Sequence, residues 1–123
     1  MSKGFIFVLM IFCHIVDDYY LQRILAQMKQ CSWWKENAPD ALYRYDWAVA
    51  MLTHAFSWAF MIMLPFAVQC GFKPPVIYFV LLFGNMSVHF VVDHMKANER
   101  IISLMQDQML HLFQILITWI AIT

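Results

Sequence analysis

HIVDDYYLQ, residues 14–22, closes an apolar run that begins at Phe5 and has the composition of a membrane span. Ionisable groups at the centre of an inserted helix cost about 2.5–3.5 kcal/mol each and normally face the interior of a bundle, where they find partners. Their partners must come from elsewhere in the chain, and the same grammar returns twice. His14 and Asp18, His89 and Asp93, and Asp107 and His111 are each a histidine and an aspartate four residues apart. On a helix, positions i and i+4 lie one turn apart on one face, so each pair aims two groups in one direction. A further histidine, His54, sits inside another apolar stretch.

The rest of the composition agrees with a membrane setting. Of 123 residues 63% are hydrophobic, 17% aromatic and 13% charged, against about 45–50% apolar and about 25% charged in soluble domains. One domain, residues 1–123, is expected, because spans of about 20 residues use most of the chain and leave no room for a soluble domain. Net charge is zero, and the aromatics are not interleaved with basic residues, which sets nucleic acid aside as a partner. Cys13, Cys31 and Cys70 form no CxxC pair and read as small apolar residues. No small-residue cleavage site follows the first apolar run, so that run is expected to stay as a span. The ten methionines form no MxxM cluster, and phosphate-binding glycine loops are absent with only three glycines.

Four spans are predicted, an all-α integral membrane bundle running up-down-up-down. Span one covers about residues 4–28 if helical throughout, span two 47–68, span three 76–95 and span four 102–122. Between the first two lies KQCSWWKENAPDALYRYD, residues 29–46, whose mixed aromatics and charges suit headgroup level and whose Pro39 rules out one unbroken helix. QCGFKPP, residues 69–75, reads as a tight turn and KANERI, residues 96–101, as a short polar link. Arg23, Lys29, Lys35, Arg44, Lys96 and Arg100 fall in the connections after spans one and three, with only Lys3 and Lys73 opposite. Basic residues set topology, so those connections are expected in the cytoplasm and both termini outside, in a bacterial inner membrane.

In that arrangement His14 and Asp18, His54, His89 and Asp93, and Asp107 and His111 all occupy the cytoplasmic half of the bundle. Imidazole and carboxylate suit zinc, manganese or iron, and helix-borne His and carboxylate ligands are a known way to hold two metals. Seven candidates exceed the needs of one zinc. A lone intramembrane histidine is ordinarily a hydrogen-bonded structural residue, one His–Asp pair fixes helix register, and proton pathways draw on similar groups; the convergence of the whole set favours metal. Gln22 and Gln108 lie beside Asp18 and Asp107 as candidates to orient a carboxylate, or to make ordinary interhelical hydrogen bonds. Lys96, one turn beyond Asp93, is placed to pair with it or to hold an anionic substrate group. Asp17 and His94 point about 100° away from the pairs; Asp17 reads as an extra ligand or as a capping or interfacial group, the latter preferred, and His94 as lying outside the site.

HIVDDYYLQ resembles an HxxxDFxLQ opening, LTHAFSWAF (residues 52–60) a histidine-led second helix, HFVVDHMK (89–96) an HxxxDxxK segment and QDQMLHL (106–112) a DQxxH ending. Together, in this order, they resemble domain-of-unknown-function family 3307, a bacterial and phage family of integral membrane proteins. The resemblance covers nearly the whole chain and places His14, Asp18, Gln22, Lys29, His54, His89, Asp93, Lys96, Asp107, Gln108 and His111 at motif positions. The chain departs from the motif with Asp17, where a small residue is usual, and Tyr19, where phenylalanine is usual. The resemblance implies a membrane protein and brings no reaction with it.

The expected function is a metal-dependent membrane hydrolase acting at the cytoplasmic interface. It would hold one or two divalent ions, zinc or manganese, on His14, Asp18, His54, His89, Asp93, Asp107 and His111. Asp18, Asp93 and Lys96 are the expected catalytic residues, with Lys29 and Lys96 attracting a phosphate or carboxylate; a lipid headgroup or phosphodiester fits a site at this depth. The alternatives are a non-enzymatic membrane scaffold or phage/host membrane factor with a structural His/Asp network, and an ion or proton transporter. A transporter needs a polar file through both membrane halves, whereas FIFVLMIF (5–12) and VIYFVLLF (76–83) carry no acidic, basic or amide side chain. With the native cysteines replaced by alanine, a Glu36→Cys variant in intact cells should resist an impermeant maleimide and react only after permeabilisation; strong labelling from outside overturns the orientation.

Overall fold

The computed structural model describes all 123 residues and is helical throughout. Helix α1 (Lys3–Ile15) is capped by Ser2, whose hydroxyl accepts from the Phe5 N–H, and runs without interruption into a π-helical segment, Val16–Leu21. The first span is therefore shorter than the predicted 4–28. The chain turns at Arg23, whose φ of 44° lies in the left-handed region, and only then forms the short helix α2 (Leu25–Met28). This turn folds α2 back against a later helix and carries Lys29 into the interior, which a continuous helix would not do. Helix α3 (Cys31–Asn37) and a 3₁₀ turn (Ala41–Tyr43) follow, separated at Pro39 as the sequence predicts.

Helix α4 (Asp46–Gln69) accommodates Pro65 in its interior and ends in a Schellman arrangement. Gly71 and Phe72 are both left-handed at φ 59°, the Gly71 N–H bonds to Val68 O, and Phe72 N–H reaches Ala67 O at 2.9 Å. Pro74 and Pro75 then prevent continuation, and α5 (Val76–Ala97) begins directly after them. A link with Arg100 at φ 57° leads to α6 (Leu104–Ile122), whose start is fixed by a capping box between Ser103 and Gln106.

Helix α4 packs against α1 and α5, and α6 packs against both α1 and α5, so the four long helices form a closed ring. The Met1 ammonium donates to Gln69 Oε1 at 2.9 Å, Lys3 Nζ to Thr123 O at 2.5 Å and Trp119 Nε1 to Lys3 O at 2.8 Å, so α1 starts where α4 and α6 end. Near those termini the interior is apolar, built from Ile6, Met10, Ile62, Met63, Phe66, Tyr78, Leu82 and Ile115, with Ala59 and Ala67 letting α4 approach its neighbours closely. Towards the other end the interior becomes polar. The outer surface is the reverse of a soluble protein's, with Phe12, Val49, Val80, Phe83, Val91 and Phe113 all more than half exposed or close to it.

Three segments are long and apolar enough to cross a membrane: Lys3–Leu21, Ala41–Gln69 and Val76–Ala97. Helix α6 is not among them, since five of its first eleven residues are Gln106, Asp107, Gln108, His111 and Gln114.

Asn98 joins the two inter-helix connections at the polar end. Its Oδ1 accepts from Cys31 N–H at 2.7 Å and its Nδ2 donates to Lys29 O at 3.0 Å, holding the start of α3 and the Lys29 backbone against the end of α5. Asn98→Ala should lower stability by about 1–2 kcal/mol, and amide exchange at Cys31 and proteolysis within residues 31–45 should both accelerate. Unchanged exchange at Cys31 would show that the clamp is dispensable.

Candidate metal centre

Asp17 and Asp18 lie in the π-helical segment, where Gln22 N–H bonds to Asp17 O, five residues back. Their carboxylates meet different interior partners, Asp17 facing Ser57 of α4 and Asp18 facing His54 and Gln108. Asp17 is fully buried, not capping or interfacial as the sequence suggests. Its Oδ1 accepts from Ser57 Oγ at 2.5 Å, and its unpartnered Oδ2 lies 3.7 Å from His54 Nδ1, which is also unpartnered.

Three imidazoles turn their Nε2 atoms to a common centre. His54 Nε2 is 3.1 Å from His89 Nε2 and 3.3 Å from both Asp18 Oδ1 and Asp93 Oδ2. His111 Nε2 lies 3.2 Å from Asp93 Oδ1 and 3.3 Å from Asp107 Oδ1, and His89 Nε2 3.6 Å from Asp93 Oδ2. The ligand atoms fall into three interlocking groups, Asp18–His54–His89, His89–Asp93–His111 and Asp18–Asp107–His111, within each of which every pair of atoms lies within 4.8 Å. These buried groups could hold a metal ion.

Charge argues in the same direction. Four buried carboxylates, Asp17, Asp18, Asp93 and Asp107, face two ammonium groups: Lys29 Nζ at 2.6 Å from Asp93 Oδ2 and Lys96 Nζ at 3.0 Å from Asp107 Oδ2. With neutral imidazoles, two negative charges stay uncompensated where water is excluded, a costly arrangement without further positive charge. The sequence-based pairing of Lys96 with Asp93 is thus corrected: Lys96 reaches across to α6, and Lys29, delivered by the turn at Arg23, takes Asp93.

His14, expected among the ligands, is engaged elsewhere. Trp58 Nε1 donates to its Nδ1 at 2.8 Å, which leaves the proton of the neutral ring on Nε2, 3.0 Å from Gln108 Oε1. The Gln108 amide is oriented by the same logic, its Nε2 donating to Asp18 Oδ2 and Asp107 Oδ2, both at 3.0 Å. His14 belongs to none of the three groups and positions Gln108, which in turn holds two candidate ligands. Gln22 donates to the Asp18 main-chain oxygen, not to a carboxylate. His94 stays outside, stacked on Trp47. All three cysteines are free, and burial pushes the Cys31 thiol up, away from thiolate reactivity.

Two elements escaped the sequence reading. Trp58, fully buried, stacks on His89 with ring centroids 4.1 Å apart, and His89 stacks on His111 at 4.2 Å, so one indole sets the planes of two imidazoles. Its spacing of four from His54 was the available signal. Asn85, Gln114 and Thr118 form a second buried network between α5 and α6: Gln114 Nε2 donates to Asn85 O and Oδ1, and Asn85 Nδ2 to Thr118 Oγ1. Asn85, His89 and Asp93 make one stripe at intervals of four, so this network continues the face that carries the ligands.

Comparisons with protein-family models, with curated proteins and with solved structures returned no match. The chemistry of the site therefore rests on its own residues.

Trp58→Phe keeps a ring over His89 but removes the only donor to His14 Nδ1. An orphaned buried acceptor costs about 1–3 kcal/mol, so the thermal midpoint in detergent should fall accordingly, and a midpoint equal to wild type would show that His14 is not held by this bond.

Proposed function

We propose that the chain is a metal-dependent membrane hydrolase that binds one or two divalent ions in the His/Asp cluster and acts on a phosphodiester or lipid headgroup. The observation that carries the reading is the convergence of Asp18, His54, His89, Asp93, Asp107 and His111, from four helices, into three overlapping ligand groups with more carboxylate than ammonium charge. The resemblance to domain-of-unknown-function family 3307 places the same six residues at motif positions. Nitrogen and oxygen donors in this proportion suit zinc or manganese.

In this reading α6 inserts as a fourth span. Its polar residues turn inward, while Met105, Met109, Phe113, Ile117 and Ile120 are exposed and apolar. The excess of basic residues after spans one and three supports a multi-pass orientation with the termini outside and the cluster towards the cytoplasm of a bacterium. Residues 1–123 then form a single domain.

Asp18, His54 and His89 are suited to one ion, and a second would be held either by His89, Asp93 and His111, sharing His89, or by Asp18, Asp107 and His111, sharing Asp18. A bound divalent ion supplies Lewis acidity and makes water a nucleophile near neutral pH. The protein's own contributions are positional: Gln108 holds Asp18 and Asp107, Trp58 fixes the imidazole planes, and a carboxylate not engaged by metal accepts a proton from water. Lys29 and Lys96 stand where an anionic group enters.

A protonated His/Asp network is the rival account, because two imidazolium charges would neutralise the same carboxylates. Elemental analysis separates the two. Protein purified in detergent without chelator should contain a transition metal, and chelation should lower its thermal midpoint; His89→Ala and Asp107→Ala should lose metal, whereas Lys96→Ala, which removes no ligand, should retain it. Metal content at background in the wild type, with a midpoint unmoved by added zinc or manganese, defeats the metal reading and leaves the protonated network.

A further inference from the structure

A cavity of about 490 Å³ opens at the polar end, between the α2 region and the end of α5. Its walls carry Gln22, Lys29, Gln30, Lys96 and Arg100 with two alanine methyls, and no carboxylate lines it. In a chain with only eight lysines and arginines, three of them meet here. Two of the three, Lys29 and Lys96, are also the residues paired with Asp93 and Asp107, so the cavity and the His/Asp cluster share a wall.

Arg100 has no carboxylate partner, unlike the two lysines. It sits at φ 57°, a conformation free for glycine that costs other residues of order 1–3 kcal/mol, in a turn closed by Glu99 N–H to His94 O and Ile101 N–H to Met95 O. A strained position occupied by arginine where glycine would relax it points to a use for the guanidinium. The Gln22 side chain, whose Nε2 donates to the Asp18 main-chain oxygen, completes the same wall.

We infer that this cavity is a phosphate seat, in which the Arg100 fork and the Lys29 and Lys96 ammonium groups receive the phosphate group of the substrate. Guanidinium matches phosphate oxygens in pairs, and ammonium groups add point charge without a directional demand. The inference rests on the metal-centre reading for what lies behind the phosphate, but the seat itself is built from residues outside the ligand set. It also predicts coupling. A divalent ion that takes Asp93 and Asp107 frees both lysines for the anion, so metal and phosphate should strengthen each other's binding, reciprocally.

The test compares wild type, Arg100→Ala and Arg100→Gly in uncharged detergent, with inorganic phosphate as probe and chloride at equal ionic strength as control. Arg100→Gly relieves the backbone strain, so it should fold at least as well as wild type. Phosphate should raise the wild-type thermal midpoint, and both variants should bind it about tenfold more weakly, the loss expected for a charge-assisted hydrogen bond of about 1.5 kcal/mol, with metal content unchanged. Mixed micelles containing phosphatidic acid identify the source: competition with phosphate assigns the seat to a lipid headgroup, and absence of competition assigns it to a soluble phosphoester. Phosphate binding that is missing, or equal in wild type and Arg100→Gly, overturns the seat. A wild type without metal but with Arg100-dependent phosphate binding removes the metal centre and keeps the seat.

Discussion

Four carboxylates buried together impose the constraint that the polar half of the molecule must satisfy. Asp17, Asp93 and Asp107 have essentially no exposure, and Asp18 is nearly as enclosed at its side chain. An ionised carboxylate away from water is tolerated only with opposite charge and hydrogen bonds around it. Two lysines, three convergent imidazoles, a serine hydroxyl and a glutamine amide supply that surrounding, and the balance of charge is closed either by protonated imidazoles or by a cation, which the same ligand atoms could hold.

Meeting this constraint shapes the backbone. Asp17 and Asp18 both sit in the π-helical segment Val16–Leu21, and each carboxylate finds its own partners in the interior. A helix continued to residue 28 would carry Lys29 away from Asp93, and the left-handed turn at Arg23 brings it back, where Asn98 secures it through the Lys29 carbonyl. Even the apolar residue that matters most here, Trp58, acts through polar neighbours: it donates to His14 and supports the imidazole stack. Irregular backbone at the polar end thus comprises the π segment and the left-handed turns at Arg23 and Arg100, while at the apolar end it is confined to the turn at Gly71 and Phe72 and to Pro65 within α4.

The division of the bundle along its length has a functional reading. An apolar half closed by the termini and a polar half opening into a basic cavity describe a molecule with one working end. The Asn85–Gln114–Thr118 network lies between these halves and joins α5 to α6 by hydrogen bonds, holding together the two helices that carry four of the six candidate ligands.

Residue spacing alone determined a good deal. Apolar runs of span length and the turn chemistry of QCGFKPP placed α4, α5 and α6 within a few residues of their observed ends, because hydrophobic periodicity and turn residues are local properties. The i,i+4 histidine–aspartate pairs announced a site, because one helix turn fixes which side chains share a face. Tertiary structure decided the rest. Asp17 is buried because α4 docks over it with Ser57 and His54, which the angle along a single helix does not report; the Lys29–Asp93 and Lys96–Asp107 pairs depend on how separate helices dock; and His14, with the same spacing to its aspartate as His89, has both ring nitrogens taken by Trp58 and Gln108. Which atom meets which across a bundle is set by packing between segments distant in the chain, and no local periodicity encodes it.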